Sequence, residues 1–256
     1  MRSLAAVLAV ASLGCSSMPA APTTTAANGG GGTGGGARVL FVGNSLTEGN
    51  GLPAMVRTLA RQAGEPLTVE QVTFGGFSLE DHWNEGSARR AIARGGWRFV
   101  VLQQGPSSLP ESRQNLLQWA GRFNQAIRAA GARPAFYSVW PDVTRTAFFD
   151  DVTESYRQAA AATEGVLLPA GEAWRAAWRR EPALELYGED RFHPNQRGTY
   201  LAALVVTAQL LGRSPVGLAT ALARAEGGAP AFTPSTSETV LLQDAAAEAI
   251  RDHGRP

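Results

Sequence analysis

Five short apolar runs, each separated from the next by a longer stretch of helical periodicity, restrict the fold of this chain more than any other feature. The first, Val39-Leu40-Phe41-Val42, follows Arg38 and stops at Gly43; Leu67 to Thr73, Phe99 to Leu102, Ala135 to Val139 and Val166 to Leu168 are its companions. Runs this short and continuous are expected of strands buried on both faces, because a strand with one wet face alternates. Helical patterns fall near 53–63, 112–130, 150–163 and 196–211. Strands alternating with helices predict an α/β fold, a parallel sheet of about five strands covered on both faces in three α/β/α layers. Such a sheet presents its ligand site at the carboxyl ends of the strands. Two further helical patterns, about 217–224 and 237–251, carry no recognisable chemistry and are expected to be packing elements.

The first part of the 256-residue chain reads differently. Arg2 supplies a short positive region, Leu4 to Leu13 a small apolar core, and Ser12-Leu13-Gly14-Cys15 its close, the layout of a secretion signal. The apolar run is too short to span a membrane. The segment resembles a bacterial lipoprotein signal, in which Cys15 becomes the lipid-modified first residue; an ordinary signal peptide cut near Ala20 is the competing reading. Ser16 to Gly36 consists of Ser, Pro, Ala and Thr followed by a glycine-rich run, has almost nothing to bury, and reads as a flexible tether. The expected organisation is a signal over 1–15, a tether over 16–36 and one domain over 37–256, exported and held at the cell envelope by an N-terminal lipid.

Cys15 is the single cysteine, so the domain contains no disulfide, no thiol nucleophile and no cysteine metal site. Three histidines without ligand spacing argue against zinc, and neither a metal nor another cofactor is expected. Lys plus Arg total 23 against 22 for Asp plus Glu, a formal charge of +1. That balance gives no electrostatic case for nucleic acid or for an anionic membrane surface, and the expected partner is a small molecule.

Chemistry concentrates where apolar runs end. Gly43-Asn44-Ser45-Leu46-Thr47 follows the first run and precedes a helix led by Pro53; a glycine there lets the chain turn sharply, so that Ser45 projects its hydroxyl while its own N–H points into the same space. The plain alternative is a Gly-Asn-Ser turn with no chemistry. Asp190-Arg191-Phe192-His193-Pro194-Asn195 lies in a loop before the 196–211 helix. A serine hydroxyl needs a base, and the base needs a partner that fixes its tautomer; a spacing of three lets a tight turn bring Asp190 to the His193 nitrogen that faces away from serine. Read alone, Asp190 or Asn195 equally suits a helix cap and His193 a surface turn. Gly75-Gly76-Phe77-Ser78 and Gln103-Gln104-Gly105-Pro106-Ser107-Ser108 follow the second and third runs, where a backbone N–H or a side-chain amide can face a reacting carbonyl. Asp142 follows the fourth run and either lines the cleft or caps the next turn. His82, in Asp81-His82-Trp83, is expected at a surface helix position, with a supporting or substrate-contacting role near Gly76 as the alternative, and His253 is expected in a frayed terminus.

On these motifs, from about Arg38 to Leu211, the chain resembles the SGNH/GDSL hydrolases, a superfamily of esterases, lipases and carbohydrate deacetylases on a flavodoxin-like three-layer fold. The Asp-x-x-His-Pro run followed by Gly198-Thr199-Tyr200-Leu201 is its most specific part. The resemblance implies Ser45 as nucleophile, Gly76 as oxyanion glycine, and Asp190 with His193 as the remaining triad pair. Asn44 stands where many members carry aspartate. The third block departs further: the family's Gly-x-Asn-Asp is absent, and Gln104-Gly105-Pro106-Ser107-Ser108 is similar instead to the Gln-Gly-Glu-Ser pattern of sialate and xylan acetylesterase-like members. That similarity makes Gln104 the expected third oxyanion donor, with Gln103 and Ser107 as rivals, and Asn44, Gln103, Ser107 and Asp142 as expected cleft-lining residues.

The expected activity is therefore cleavage of carboxylic esters through an acyl-enzyme, with short acyl groups, acetyl on carbohydrate, as the substrate implied by the Gln104-Gly105 similarity. The same residues would serve an O-acyltransferase acting on envelope polysaccharide, and the fold alone would serve a non-catalytic binding domain.

Overall fold

The structure, a computed structural model, describes residues 36–218 and 232–254. The signal, Cys15 and the tether through residue 35 lie outside the described residues, as does the 217–224 pattern from residue 219 onward. The chain runs β1 (Ala37–Gly43), α1 (Ser45–Glu48), α2 (Leu52–Gln62), β2 (Leu67–Thr73), α3 (Leu79–Glu85), α4 (Ser87–Ala93), β3 (Trp97–Leu102) and α5 (Pro110–Ala129). It continues through β4 (Arg133–Ser138), α6 (Phe149–Ala162), β5 (Val166–Pro169), α7 (Ala170–Arg180), α8 (Gln196–Leu211) and α9 (Thr236–His253).

The strands pair in the order β2-β1-β3-β4-β5, every ladder parallel. Val39 to Val42 and Val100 to Leu102 are buried on both faces, as their unbroken apolar runs require. β2, one of the two edge strands, is the most polar, and only Leu67 of it is buried. One helical layer joins α3, α4, α5 and α6; the other joins α2, α7, α8 and α9. α8 is buried around almost its whole circumference, from Gly198 to Ala208, because β5, α2, α7 and α9 all pack on it.

The chain leaves β1, pairs β2 on one side of it, then returns to place β3 on the other. The strand order reverses there, and a crevice opens at the carboxyl ends of β1 and β3, where such sheets bind ligands. Gly43-Asn44-Ser45 and Gln103-Gln104 leave from those two ends.

All five strands and the helices foreseen near 53–63, 112–130, 150–163, 196–211 and 237–251 are present, with ends differing by a few residues. Four helices have no counterpart in the pattern: the single turn α1 at Ser45, and α3, α4 and α7. α3 and α4 are one amphipathic stretch broken at Gly86, which is left-handed at φ 93. α7 starts directly from β5 at Pro169 with no polar turn between them.

Candidate active site

Gly43 ends β1 without a left-handed backbone; its need is space. A Cβ there would lie 2.3 Å from Thr47 Oγ1 and 2.5 Å from Gln103 Oε1, so the expected sharp glycine turn is really a close approach. Asn44 then N-caps α1, its Oδ1 accepting the Leu46 N–H at 3.1 Å, and its Nδ2 donates to the Phe77 carbonyl at 3.0 Å. Ser45 occupies the first position of α1, where a helix leaves N–H groups unpaired. Neither the Ser45 nor the Gly76 N–H is hydrogen-bonded among the described residues. Gly76 adopts φ 75, a conformation that favours glycine.

His193 Nε2 accepts from Ser45 Oγ at 2.8 Å, and His193 Nδ1 donates to Asp190 Oδ2 at 2.5 Å. The carboxylate cannot donate, so it holds the ring proton on Nδ1 and leaves Nε2 free to accept. Asp190 Oδ1 accepts the N–H groups of Phe192 at 3.1 Å and His193 at 2.9 Å, closing a tight turn whose centre, Arg191, is left-handed at φ 62. The His193 bond, followed by that of Phe192, holds the Asp190 carboxyl below the usual carboxylate range.

This loop emerges from α7, not from a strand end, and is fixed from several sides. Tyr187 and Pro194 form an antiparallel bridge, Gly188 N–H donates to His193 O at 2.7 Å, and Trp140 Nε1 donates to Phe192 O at 3.1 Å. Asn195, not Asp190, caps α8, accepting the Gly198 N–H at 2.9 Å. Asn50 Nδ2 donates to Pro194 O at 2.8 Å and Thr199 Oγ1 at 2.9 Å, tying the turn after α1 to the loop that carries His193.

The two adjacent glutamines part company. Gln103 is fully buried beneath the turn: its Oε1 accepts from Asn44 N at 2.9 Å and Thr47 Oγ1 at 2.7 Å, while its Nε2 donates to Asn44 Oδ1 at 2.9 Å and to Gln104 O. Both its N–H groups are engaged, so Gln103 neither lines the cleft nor reaches substrate, contrary to the sequence expectation. Gln104 faces the cleft; its Oε1 accepts Leu79 N–H at 3.1 Å and its Nε2 donates one hydrogen to Ser107 Oγ at 2.8 Å, leaving the second. Asp142 is also outside the cleft lining. It caps the 3-10 turn Val143–Phe148, accepting from Thr144 N at 2.8 Å and Thr144 Oγ1 at 2.6 Å.

The cleft at Ser45 has a volume of about 600 Å³. Asn44 and Ser107 line it. Ser78, Ser108, Ser112 and Asn115 add neutral hydrogen-bonding groups, Phe77 and Phe192 add aromatic walls, and Arg145 is the one charged residue in the lining among the described residues. Phe77, Ser78, Ser108 and Phe192 belong to the motifs themselves, whereas Ser112, Asn115 and Arg145 carried no sequence signal. His82 and His253 also depart from expectation. His82 is fully buried, with Nε2 2.8 Å from Gly43 O. His253 belongs to the last turn of α9, with Nε2 3.6 Å from the buried Glu172 carboxylate.

No protein-family model matches this chain, and no curated protein does. Solved structures do. A protein of Slackia heliotrinireducens assigned to the SGNH hydrolases is 30% identical, over 67% of this chain and 97% of that one, with a TM-score of 0.57. A DUF4886 family protein from Bacteroides uniformis superimposes with a TM-score of 0.69 at 18% identity, over 84% and 95% of the two chains. A variant of an acetyl-xylooligosaccharide esterase from Geobacillus Stearmophilus gives 0.55 at 17% identity, over 72% and 97%, a likeness of fold. With the parallel order β2-β1-β3-β4-β5 and 30% identity across nearly the whole of an assigned member, the chain belongs to the SGNH hydrolase family and is an ester hydrolase.

Proposed function

We propose that the enzyme cleaves short-chain acyl esters, acetyl esters of carbohydrate in particular, with Ser45, His193 and Asp190 as its catalytic triad. The observation that carries this reading is the unbroken hydrogen-bond chain Ser45 Oγ to His193 Nε2 and His193 Nδ1 to Asp190 Oδ2, joining residues 148 apart in sequence. His193 takes the Ser45 proton as Oγ attacks the ester carbonyl, and Asp190 steadies the imidazolium that forms. The free N–H groups of Ser45 and Gly76 receive the oxyanion, with the remaining Nε2 hydrogen of Gln104 as third donor. His193 returns the proton to the departing alcohol, then activates the water that releases the acyl group and regenerates Ser45.

The cleft sets serine hydroxyls and side-chain amides, which can bond a polyhydroxylated alcohol, beside Phe77, Phe192, Pro106 and Leu109, which can pack against sugar faces or an acyl group. The likeness of fold to the Geobacillus protein, an acetyl-xylooligosaccharide esterase, supports the same substrate class. Export and anchoring through Cys15 would place this activity at the cell envelope.

The test compares the parent with Ser45→Ala and Gln104→Ala on p-nitrophenyl esters of increasing acyl length and on acetylated oligosaccharides, with folding checked by circular dichroism. Activity should vanish with Ser45→Ala, drop with Gln104→Ala, and decline as the acyl chain lengthens. Retained activity in Ser45→Ala would refute the nucleophile. Acyl groups recovered on an added glycan instead of in water would make the enzyme a transferase.

A further inference from the structure

His82 sits on the seven-residue helix α3 between two exposed carboxylates, Asp81 and Glu85, yet none of it is exposed. Its Nε2 lies 2.8 Å from the Gly43 carbonyl oxygen, which can only accept, so Nε2 carries the ring proton. Nδ1 is buried without a hydrogen-bond partner among the described residues. Burial pushes the imidazole's pKa below its ordinary value, with the Gly43 bond opposing it. Both observations fit a neutral ring that works as a fixed donor.

The placement of that donor matters. The Gly43 carbonyl also accepts the Phe74 N–H at 3.2 Å, while the opposite pole of the same peptide unit, the Asn44 N–H, is held by Gln103 at 2.9 Å. A peptide plane gripped at both poles cannot rotate, and the next N–H along the chain is that of Ser45. The His82 ring meanwhile packs at 5.7 Å from Phe74 and edge-on at 5.3 Å from Phe77, the residues that bracket Gly75-Gly76. One buried side chain therefore contacts both of the stretches that carry the unpaired Ser45 and Gly76 N–H groups.

We propose that His82 is a positioning residue of the oxyanion hole: its bond to the Gly43 carbonyl and its ring contacts with Phe74 and Phe77 hold the Ser45 and Gly76 N–H groups at one shared point. The inference rests on the triad reading above. Because those donors act on charge that develops only in the transition state, loss of His82 lowers kcat and leaves KM alone.

The experiment takes the parent, Ser45→Ala, His82→Gln, His82→Phe and His82→Met as full chains, confirmed folded by circular dichroism. Methionine provides a donorless variant of different shape should phenylalanine fail to fold. Kinetics on p-nitrophenyl acetate are measured beside the rate of labelling by a fluorophosphonate, the labelled residue being mapped by peptide mass spectrometry. Removing a whole oxyanion donor costs about 10²–10³ in kcat, so mis-aiming the pair in the donorless variants should cost about tenfold or more, with KM within about twofold. Ser45 labelling should slow in step, and His82→Gln, which keeps an N–H near the Nε2 position, should recover most of the loss. Parent-like kcat and labelling in a folded donorless variant would overturn the inference, as would His82→Gln as slow as those variants. A label landing elsewhere than Ser45, or Ser45→Ala labelling like the parent, would instead sink the triad reading, and this inference with it.

Discussion

Replacing Gln103 by methionine removes a buried amide and leaves a side chain of similar length. Two donors lose their acceptor: the Asn44 N–H and the Thr47 hydroxyl, both buried. The groups at the other end are better protected, since Asn44 Oδ1 keeps the Leu46 N–H and Gln104 O keeps the Tyr156 hydroxyl at 2.7 Å. An unpaired buried donor costs about 1–3 kcal/mol, the Thr47 hydroxyl can rotate away part of its share, and the added apolar burial returns about 1 kcal/mol. The net destabilisation is about 2–4 kcal/mol, which at roughly 2–4 °C per kcal/mol for a domain of this size lowers Tm by on the order of 10 °C. Well below that melt, kcat should also fall, because the Gly43–Asn44 peptide that aims Ser45 has lost the hold on its N–H pole. Gln104→Met provides the contrast: it orphans only the Leu79 N–H at the start of α3, so Tm should fall less. Thermal unfolding with p-nitrophenyl acetate kinetics on both variants decides it. A Gln103→Met protein melting within about 2 °C of the parent and turning over at the parental rate would refute the anchoring argument.

Asp190→Asn should preserve the turn but no longer fix the His193 tautomer, lowering kcat about ten-thousandfold with KM little changed; a loss below about tenfold would remove Asp190 from the triad. The Asp190 carboxyl, held below the usual range first by the His193 bond, contributes stability present above its unfolded pKa and lost as pH falls through its folded one. The Tm advantage of the parent over Asp190→Asn should therefore shrink on acidification, and an advantage that grew would contradict the assignment. Gly198→Ala brings a Cβ to 2.4 Å from Leu186 O and 2.5 Å from Trp174 Cζ2, which should cost about 2–4 kcal/mol in chemical denaturation. An unmoved midpoint would mean that Trp174 and α8 yield freely.

What can be read from this chain is what local pattern determines. Ser45, Gly76 and Gln104 each follow an apolar run, and in a parallel sheet the end of such a run is a place in space as well as in sequence. Gln103 and Gln104 show the limit of that rule. As letters they are equivalent, but successive residues leaving a strand point to opposite sides, so one goes beneath the turn and the other toward the cleft. Nothing in Leu79 to Glu85 distinguishes His82 from a solvent-facing residue, because its burial is imposed by Phe74, Phe77 and a carbonyl 39 residues away. α7 is masked in the sequence for a different reason: Pro169 both closes β5 and opens the helix, so the usual polar punctuation is missing.

The Asp190–His193 pair lies between these cases. Its spacing declares a hydrogen bond within the loop, but the distance to Ser45 depends on how α8 docks. Gly198 lets Trp174 and the Leu186 carbonyl approach the first turn of α8, Asn195 caps that turn, and Asn50 reaches from the nucleophile's side to Pro194 and Thr199. The Gly198-Thr199 part of the motif thus has a physical reason to accompany the histidine. It sets the seat of the helix whose N-terminal approach carries His193 to 2.8 Å from Ser45 Oγ, and a change at Gly198 should disturb that distance before it disturbs the Asp190–His193 bond.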